Sequence, residues 1–240
     1  EIGVTAVRLV RDVEYYQWVE QSHQERKEKL GGKQEITTTY TYKKQWTSSP
    51  VESADFHDPS YQKSNYVLNS ADSERWFAQN VTFGAFQLNE RQIQSISGEE
   101  AVALSLDSAT LAGWNKECQQ VLSCQNGTHT DSLLLVHVRD NQLYYGVSPN
   151  SPAVGDVRIT FTKVMPAQIT IIAQQKGNTF TSFRAKNGKT FSTLVMGTKD
   201  AAEIYEGAHE DNHIIMWILR IVGVLLVIGG LRGIFGILDL

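Results

Sequence analysis

The residues whose types and spacing best suit chemistry are His209, Glu210 and His213, in the run His209-Glu210-Asp211-Asn212-His213, which fits H-E-x-x-H. On a helix, histidines four apart share one face and can bind zinc while the glutamate activates a water. Two features count against that use. Asp211 puts a charge where such helices are normally uncharged. A third ligand is also needed, and downstream only Asp239 is available, beyond a long apolar stretch, while His23, His57, His129 and His137 all lie upstream. The structural reading, a polar and charged turn, is the one adopted, so neither a metal nor a cofactor is expected.

Three further constellations carry weaker chemistry. Cys118 and Cys124 form the one cysteine pair, able to close a disulfide in an oxidising compartment or to stay as two free thiols. Asn80-Val81-Thr82 and Asn126-Gly127-Thr128 fit the N-glycosylation pattern. Gly155-Asp156-Val157-Arg158 sets an acid beside a base as catalytic loops do. A structural account is simpler: Gly155 turns the chain into a strand on which Asp156 and Arg158, two apart, share a face and pair. No nucleophile elbow, Ser/His/Asp order or glycine-rich phosphate loop is present, so no catalytic residue is assigned.

The elements that must position these residues begin with the C-terminal stretch. From Ile214 to Leu231 a single charge, Arg220, interrupts eighteen residues. As a helix this run would cover about 27 Å of the ~30 Å hydrocarbon layer. Arg220 and Arg232 lie near its two ends, where long side chains reach the headgroups. The expectation is a transmembrane helix over 214–240, preceded by a juxtamembrane helix over 200–213. Acidic residues before the span and arginine within and after it place the large domain outside the cytosol, in a lumen or periplasm. Within the span, Gly229 and Gly233 form a G-x-x-x-G pair that lets helices approach closely, either in a second copy or in other spans of the same protein. The chain begins without methionine and stops near where such a helix would leave the bilayer, and it is read as part of a longer membrane protein.

Residues 1–199 make one large domain or two small ones, with a subdomain boundary near 95–131. A net charge of −4 and a pI near 5.9 give no basic field for nucleic acid, and 41% hydrophobic residues indicate a real core. From Ala6 to Glu20 apolar residues alternate as in a half-buried strand, and Ile36 to Trp46 is a second strand. Gly31-Gly32 between them reads as a two-residue hairpin turn that sets Glu20 opposite Lys43 and Trp18 opposite Gln45. The outer half, 21–34, has few apolar residues and projects into water or onto a neighbour. Ser70 to Ala78 is expected to open as a short helix capped by Ser70 or Ser73, Val81 to Leu88 as a strand, and Asn89 to cap a short helix whose buried face is Leu88, Ile93 and Ile96. Ser97 to Asp131 shows weak periodicity and receives no assignment. Strands are expected over 133–138, 142–147, 156–163, 168–175, 178–186 and 190–196, with a hairpin at Asn187-Gly188. The fold class is α+β: a β-rich, mainly antiparallel extracytosolic domain followed by a C-terminal transmembrane helix.

Several stretches in order, Glu14-Tyr15-Tyr16-Gln17-Trp18-Val19-Glu20, Tyr42 to Trp46, Val154-Gly155-Asp156-Val157-Arg158 and Trp217-Ile218-Leu219-Arg220, resemble the transmembrane protein 43 (LUMA) family. The resemblance implies a multi-pass protein with a large lumenal domain, resident in the endoplasmic reticulum and inner nuclear membrane of animals, that self-associates and contacts lamins and emerin. In a bacterium it would imply the inner membrane and no such contacts. The matching segment of that family lacks the H-E-x-x-H motif. The expected function is a non-catalytic, membrane-anchored scaffold with membrane lipids, further copies of itself and other membrane or envelope proteins as partners. The alternatives are a membrane-bound zinc hydrolase built on His209-Glu210-Asp211-Asn212-His213, and a lipid-binding module.

Overall fold

A computed structural model describes residues 5–29, 33–127, 130–186, 188–204, 216 and 220. In chain order the elements are β1 (Arg8–Lys29), β2 (Lys33–Thr47), β3 (Glu74–Phe77), β4 (Thr82–Phe83), β5 (Phe86–Gln87), α1 (Glu90–Ser95), β6 (Glu99–Ala101), α2 (Ser108–Asn126), β7 (Val136–Arg139), β8 (Gln142–Tyr145), β9 (Val157–Val164), β10 (Ile169–Ile172), β11 (Gln174–Lys176), β12 (Thr179–Thr181), β13 (Phe183–Arg184), β14 (Thr190–Phe191) and β15 (Thr193–Met196). The chain is β-rich with mainly antiparallel pairing and few helices. It divides into two compact units, one of Glu1–Val81 with Ser97–Pro166, the other of Thr82–Ile96 with Ala167–Leu240.

The first unit is built on a seven-stranded sheet of order β2-β1-β9-β8-β7, with β3 also beside β1 and β6 also beside β9. The alternation read from residues 6–20 holds at Val7, Val13 and Tyr15, which are buried, while Leu9 and Val19 are half-buried and Val10, on the other face, is buried too; β1 continues without a break through the polar run to Lys29. One face carries the core of Val13, Tyr15, Leu135, Val136, Leu143, Tyr145, Val157 and Ile159, with Cys118 and Leu122 of α2 packed against it. This face excludes water: Leu135 and Val157 are 0% exposed. At about 25 cal/mol per Å² of apolar area, it dominates the stability of the unit.

Helix α2 was not assigned from sequence, and its construction explains why. Asp107 caps it, its carboxylate accepting from Thr110 N at 2.8 Å, and Gly127 closes it with φ +65°. The buried stripe, Leu111, Trp114, Cys118, Val121 and Leu122, has helical spacing. Between those positions stand Asn115 and Gln119, whose amides bond the segment before β7: Asn115 Nδ2 to Leu133 O at 3.1 Å, Leu135 N to Asn115 Oδ1 at 2.6 Å, and Gln119 Nε2 to Leu133 O at 2.8 Å. Polar residues on the packed side dilute the apolar period. The same bonds occupy residues 133–135, so β7 starts at Val136 rather than at Leu133.

Three other expectations are corrected. Ser70 to Ala78 holds no helix: Ser73, read as a cap, instead accepts from Val13 N at 2.9 Å, and Glu74–Phe77 pairs with β1. Val81 to Leu88 is not one strand, since Gly84, at φ +59°, turns β4 back on β5. The β1–β2 register is shifted by one, with Trp18 opposite Lys44 and Glu20 opposite Tyr42. Lys29 pairs with Lys33, so three residues connect the strands where two were expected. A one-residue shift moves every side chain of one strand to the other face.

In the second unit, Asn89 caps α1 as expected, and Leu88, Ile93 and Ile96 are buried. The cap is a reciprocal box: Gln92 N donates to Asn89 Oδ1 at 3.1 Å and Asn89 N to Gln92 Oε1 at 3.0 Å. Asn89 Nδ2 also donates to Phe180 O at 3.2 Å, tying the helix to β12. Sheets β11-β12-β5-β4, β10-β15 and β13-β14 complete the unit. Asn187 lies outside the described residues, but its hairpin partner Gly188 turns at φ +81° between β13 and β14.

Residues 201–204 are helical, as are Met216 and Arg220. The rest of the expected juxtamembrane and transmembrane helices lies outside the described residues. Among the described residues, no helix is long and apolar enough to cross a membrane.

Candidate functional site

Two places on the first unit bring together residues singled out from sequence. One is a cross-strand row on the sheet face opposite α2. Register puts Glu14 (β1) opposite Arg158 (β9), Arg158 opposite Tyr144 (β8), and Tyr144 opposite His137 (β7). Arg158 does not pair with Asp156, as the sequence reading had it. Its Nε donates to Glu14 Oε2 at 2.5 Å, and its guanidinium lies 4.2 Å from the Trp46 ring centroid. The reason is register: Glu14 is the direct cross-strand neighbour, whereas Asp156 sits one residue before β9 and points into the protein.

Asp156 is 3% exposed, and burial pushes its carboxyl above the ordinary range, opposed by hydrogen bonds from Ala153 N and the Tyr144 hydroxyl. These reach Oδ2 at 2.8 and 2.5 Å. The carboxylate lies against Gly146, where an added Cβ would overlap it, and Gly146 O takes His137 Nε2 at 3.1 Å. Burial, then the bond to Asp156, raise the Tyr144 phenol in turn. Gly155, at φ +99°, turns into β9 as expected, and a Cβ there would overlap the Tyr66 ring. The Gly155-to-Arg158 run is therefore a buried, bonded corner that fixes the β8–β9 connection. At 3% exposure the carboxylate is closed to a substrate.

The second place is the β1–β2 ribbon. Near its base one face carries Trp18, Glu20, Tyr40, Tyr42 and Lys44, and the loop over 51–65 lies on it. Glu20 accepts from the Tyr42 hydroxyl at 2.5 Å and from His57 N at 2.6 Å. Tyr42 stacks on Tyr61 at 4.1 Å, Tyr40 on His57 at 4.0 Å, and Lys44 Nζ sits 4.9 Å over Trp18. Asn65 brackets Trp18, accepting from its N–H at 2.9 Å and donating to its carbonyl at 3.0 Å. Those bonds cover the edge of β1 only near the base.

Past the Ser22–Tyr40 pair, seven further residue pairs, from His23–Thr39 to Lys29–Lys33, continue as two strands with no third among the described residues. At 3.4 Å per residue this is about 24 Å of ribbon. Residues 21–27 and 34–37 are exposed, and Ile36 is 54% exposed. Two strands alone are marginal in water, and their open edges are templates for pairing.

The remaining sequence candidates do not meet. Cys118 is buried and Cys124 exposed, both free, on one helix. Six residues apart, at 1.5 Å rise, they are about 9 Å apart along the axis, too far for a disulfide. Asn80 is exposed, at φ +60°, while Thr128 of the second glycosylation pattern lies outside the described residues. So do His209, Glu210, Asp211 and His213. Among the described residues no group of three or more His, Cys, Asp or Glu could hold a metal.

A family model described as Transmembrane protein 43 matches residues 15–240. The chain is 27% identical to transmembrane protein 43 of Homo sapiens over 241 aligned positions, covering 96% of this chain and 54% of the relative. The relatives from Mus musculus and Rattus norvegicus match with the same identity and coverage. The chain thus spans about half the length of these relatives. No solved structure matches it.

Proposed function

The chain belongs to the transmembrane protein 43 family, and from that premise we propose that it is a membrane-anchored organising protein whose large domain binds further copies of itself and other membrane or envelope proteins. Family membership supports the assignment to membranes. On this reading residues 1–213 face a lumen or periplasm, 214–240 form the transmembrane helix, membrane lipids surround it, and no catalytic step is assigned.

The observation that carries the reading is the ribbon. Some 24 Å of paired strand with two open edges and an exposed Ile36 is a costly surface to leave in water, and a partner strand would satisfy it. The bonded state of Asp156, Tyr144 and Arg158 supports a structural role for that acid–base cluster.

Two tests bear on it. Differently tagged copies expressed together should co-purify, and the yield should fall when Ile36 is changed to Lys and Thr38 to Pro; equal recovery would remove the ribbon from the account. Gln34→Cys should react with a membrane-impermeant thiol reagent from the lumenal or periplasmic face. Labelling from the cytosolic face alone would reverse the topology.

A further inference from the structure

From Ala167 to Lys199 every charged side chain of the second unit is basic: Lys176, Arg184, Lys186, Lys189 and Lys199. The chain as a whole is acidic, with 26 Asp and Glu against 22 Lys and Arg, so this stretch is opposite in sign to the rest. Acids return at Asp200 and Glu203, whose carboxylates accept from each other's backbone N–H at the start of the helical residues 201–204.

Three of the five cations stand within six residues, on the β13–β14 hairpin. Strand pairing sets Phe183 opposite Phe191 and Arg184 opposite Thr190. The turn is closed by Ala185 N donating to Lys189 O at 2.8 Å and Gly188 N to Ala185 O at 2.9 Å. Phe183 and Phe191 thus share one face, and Arg184 lies on the other. The two strands form a sheet of their own, with no third among the described residues. Phe183 is 51% exposed, and Arg184, Lys186 and Lys189 are exposed with it. Arg184 and Lys186 form no ion pair among the described residues. A two-stranded hairpin is marginal in water, and one that shows a phenyl ring among cations gains from a surface that is anionic outside and apolar beneath.

A bilayer has that profile, and the sequence keeps one within reach. Ile204 and Ile214, where the apolar stretch begins, are ten residues apart, at most about 36 Å of extended chain. Resting on the membrane-anchored reading above, we propose that the β13–β14 hairpin docks on the bilayer beside the anchor, with Phe183 at headgroup level and Arg184, Lys186 and Lys189 on the phosphates of anionic lipids. The tether makes this contact intramolecular, so it holds at an affinity too weak for a free protein. Each cation at an anionic surface shifts the docked-to-undocked ratio about fivefold. Nucleic acid fits less well, since three cations on one short hairpin in a chain of net charge −4 make no continuous basic field.

The test is quenching of a bimane label by nitroxide-bearing lipids, with the full chain in nanodiscs. The label is placed on Thr190→Cys or, separately, on Leu225→Cys, each in a Cys124→Ser background, since Cys118 is buried. Leu225→Cys reads the anchor, and Thr190→Cys reads the hairpin. Both should be quenched in discs of phosphatidylcholine and phosphatidylglycerol in equal parts, the hairpin label far less in phosphatidylcholine alone or in high salt. Arg184→Gln, Lys186→Gln and Lys189→Gln together should lower the docked-to-undocked ratio about a hundredfold, with the fold checked by circular dichroism. If that variant unfolds, the salt and lipid series on the unaltered hairpin decides. An unquenched Leu225→Cys label would overturn the anchor and the docking with it. A quenched Leu225→Cys label beside an unquenched Thr190→Cys label, equal quenching with and without phosphatidylglycerol, or shielding of the hairpin label by added RNA instead of lipid would overturn the docking alone.

Discussion

Replacing Tyr144 by Phe removes one oxygen and leaves the ring in place, so it isolates the bond to Asp156. Both residues are nearly sealed, at 2% and 3% exposure, and the oxygens are 2.5 Å apart. A hydrogen bond to a buried charged group contributes about 1.5–3 kcal/mol, against about 1 kcal/mol for a neutral pair. At pH 7 the variant should therefore lose about 2 kcal/mol. Asp156 has its folded pKa raised above the ordinary 3.8, by burial foremost. The folded state then holds the proton more readily than the unfolded one, so this group's contribution falls as pH rises from the unfolded value through the folded one. Because the folded pKa is raised, the carboxyl is more protonated near pH 4 than at pH 7, more of the lost bond is a neutral one, and the cost should shrink toward about 1 kcal/mol. Urea unfolding of wild type and variant at both pH values, each also with Asp156→Asn, measures this. In the Asn background the effect of Tyr144→Phe should be about half that in wild type at pH 7. A cost equal at pH 7 and pH 4, or unchanged by Asp156→Asn, would refute the claim that a charged pair holds the corner.

Gly155→Ala should cost about 2 kcal/mol or more in the same assay, because it combines a φ of +99° with overlap on Tyr66, and a cost under about 0.5 kcal/mol would show that the ring moves aside freely. Burial, then the charge of Glu117, push the Cys118 thiol up to about 11, so a thiol-specific chromogenic reagent should modify Cys124 in the native protein and Cys118 only on unfolding. Purified protein should carry no stoichiometric zinc by elemental analysis; zinc that is lost on His209→Ala would favour the hydrolase reading.

What the sequence disclosed follows from how local each signal is. The Asn89 cap and the Gly155 turn each depend on neighbours a few residues away and are where they were expected, and so are the strands at 142–145 and 157–164, whereas the expected strands over 168–175, 178–186 and 190–196 are each broken into two that join different sheets. The β1–β2 register depends on the connection, and one extra connecting residue moved Tyr42 to the position opposite Glu20, where its hydroxyl now bonds the carboxylate. Arg158 was assigned to Asp156 by proximity along the chain, whereas its partner Glu14 stands 144 residues away and is set by strand pairing alone. Helix α2 was hidden because Asn115 and Gln119 serve the loop before β7 from within the packed side. Gln92 was not singled out from the sequence: its place in the capping box of α1 rests on the reciprocal bonds with Asn89, which periodicity does not carry.

Mass photometry of the chain in nanodiscs, wild type against a variant in which Gln24 to Thr38 is replaced by Asn-Gly, tests the organising role most directly. That replacement keeps the His23–Thr39 pair, and Asn-Gly supplies a two-residue hairpin turn. The account predicts assemblies of two or more chains for the wild type and single chains for the variant. A wild type that is a single chain, or a variant that assembles equally well, would contradict it.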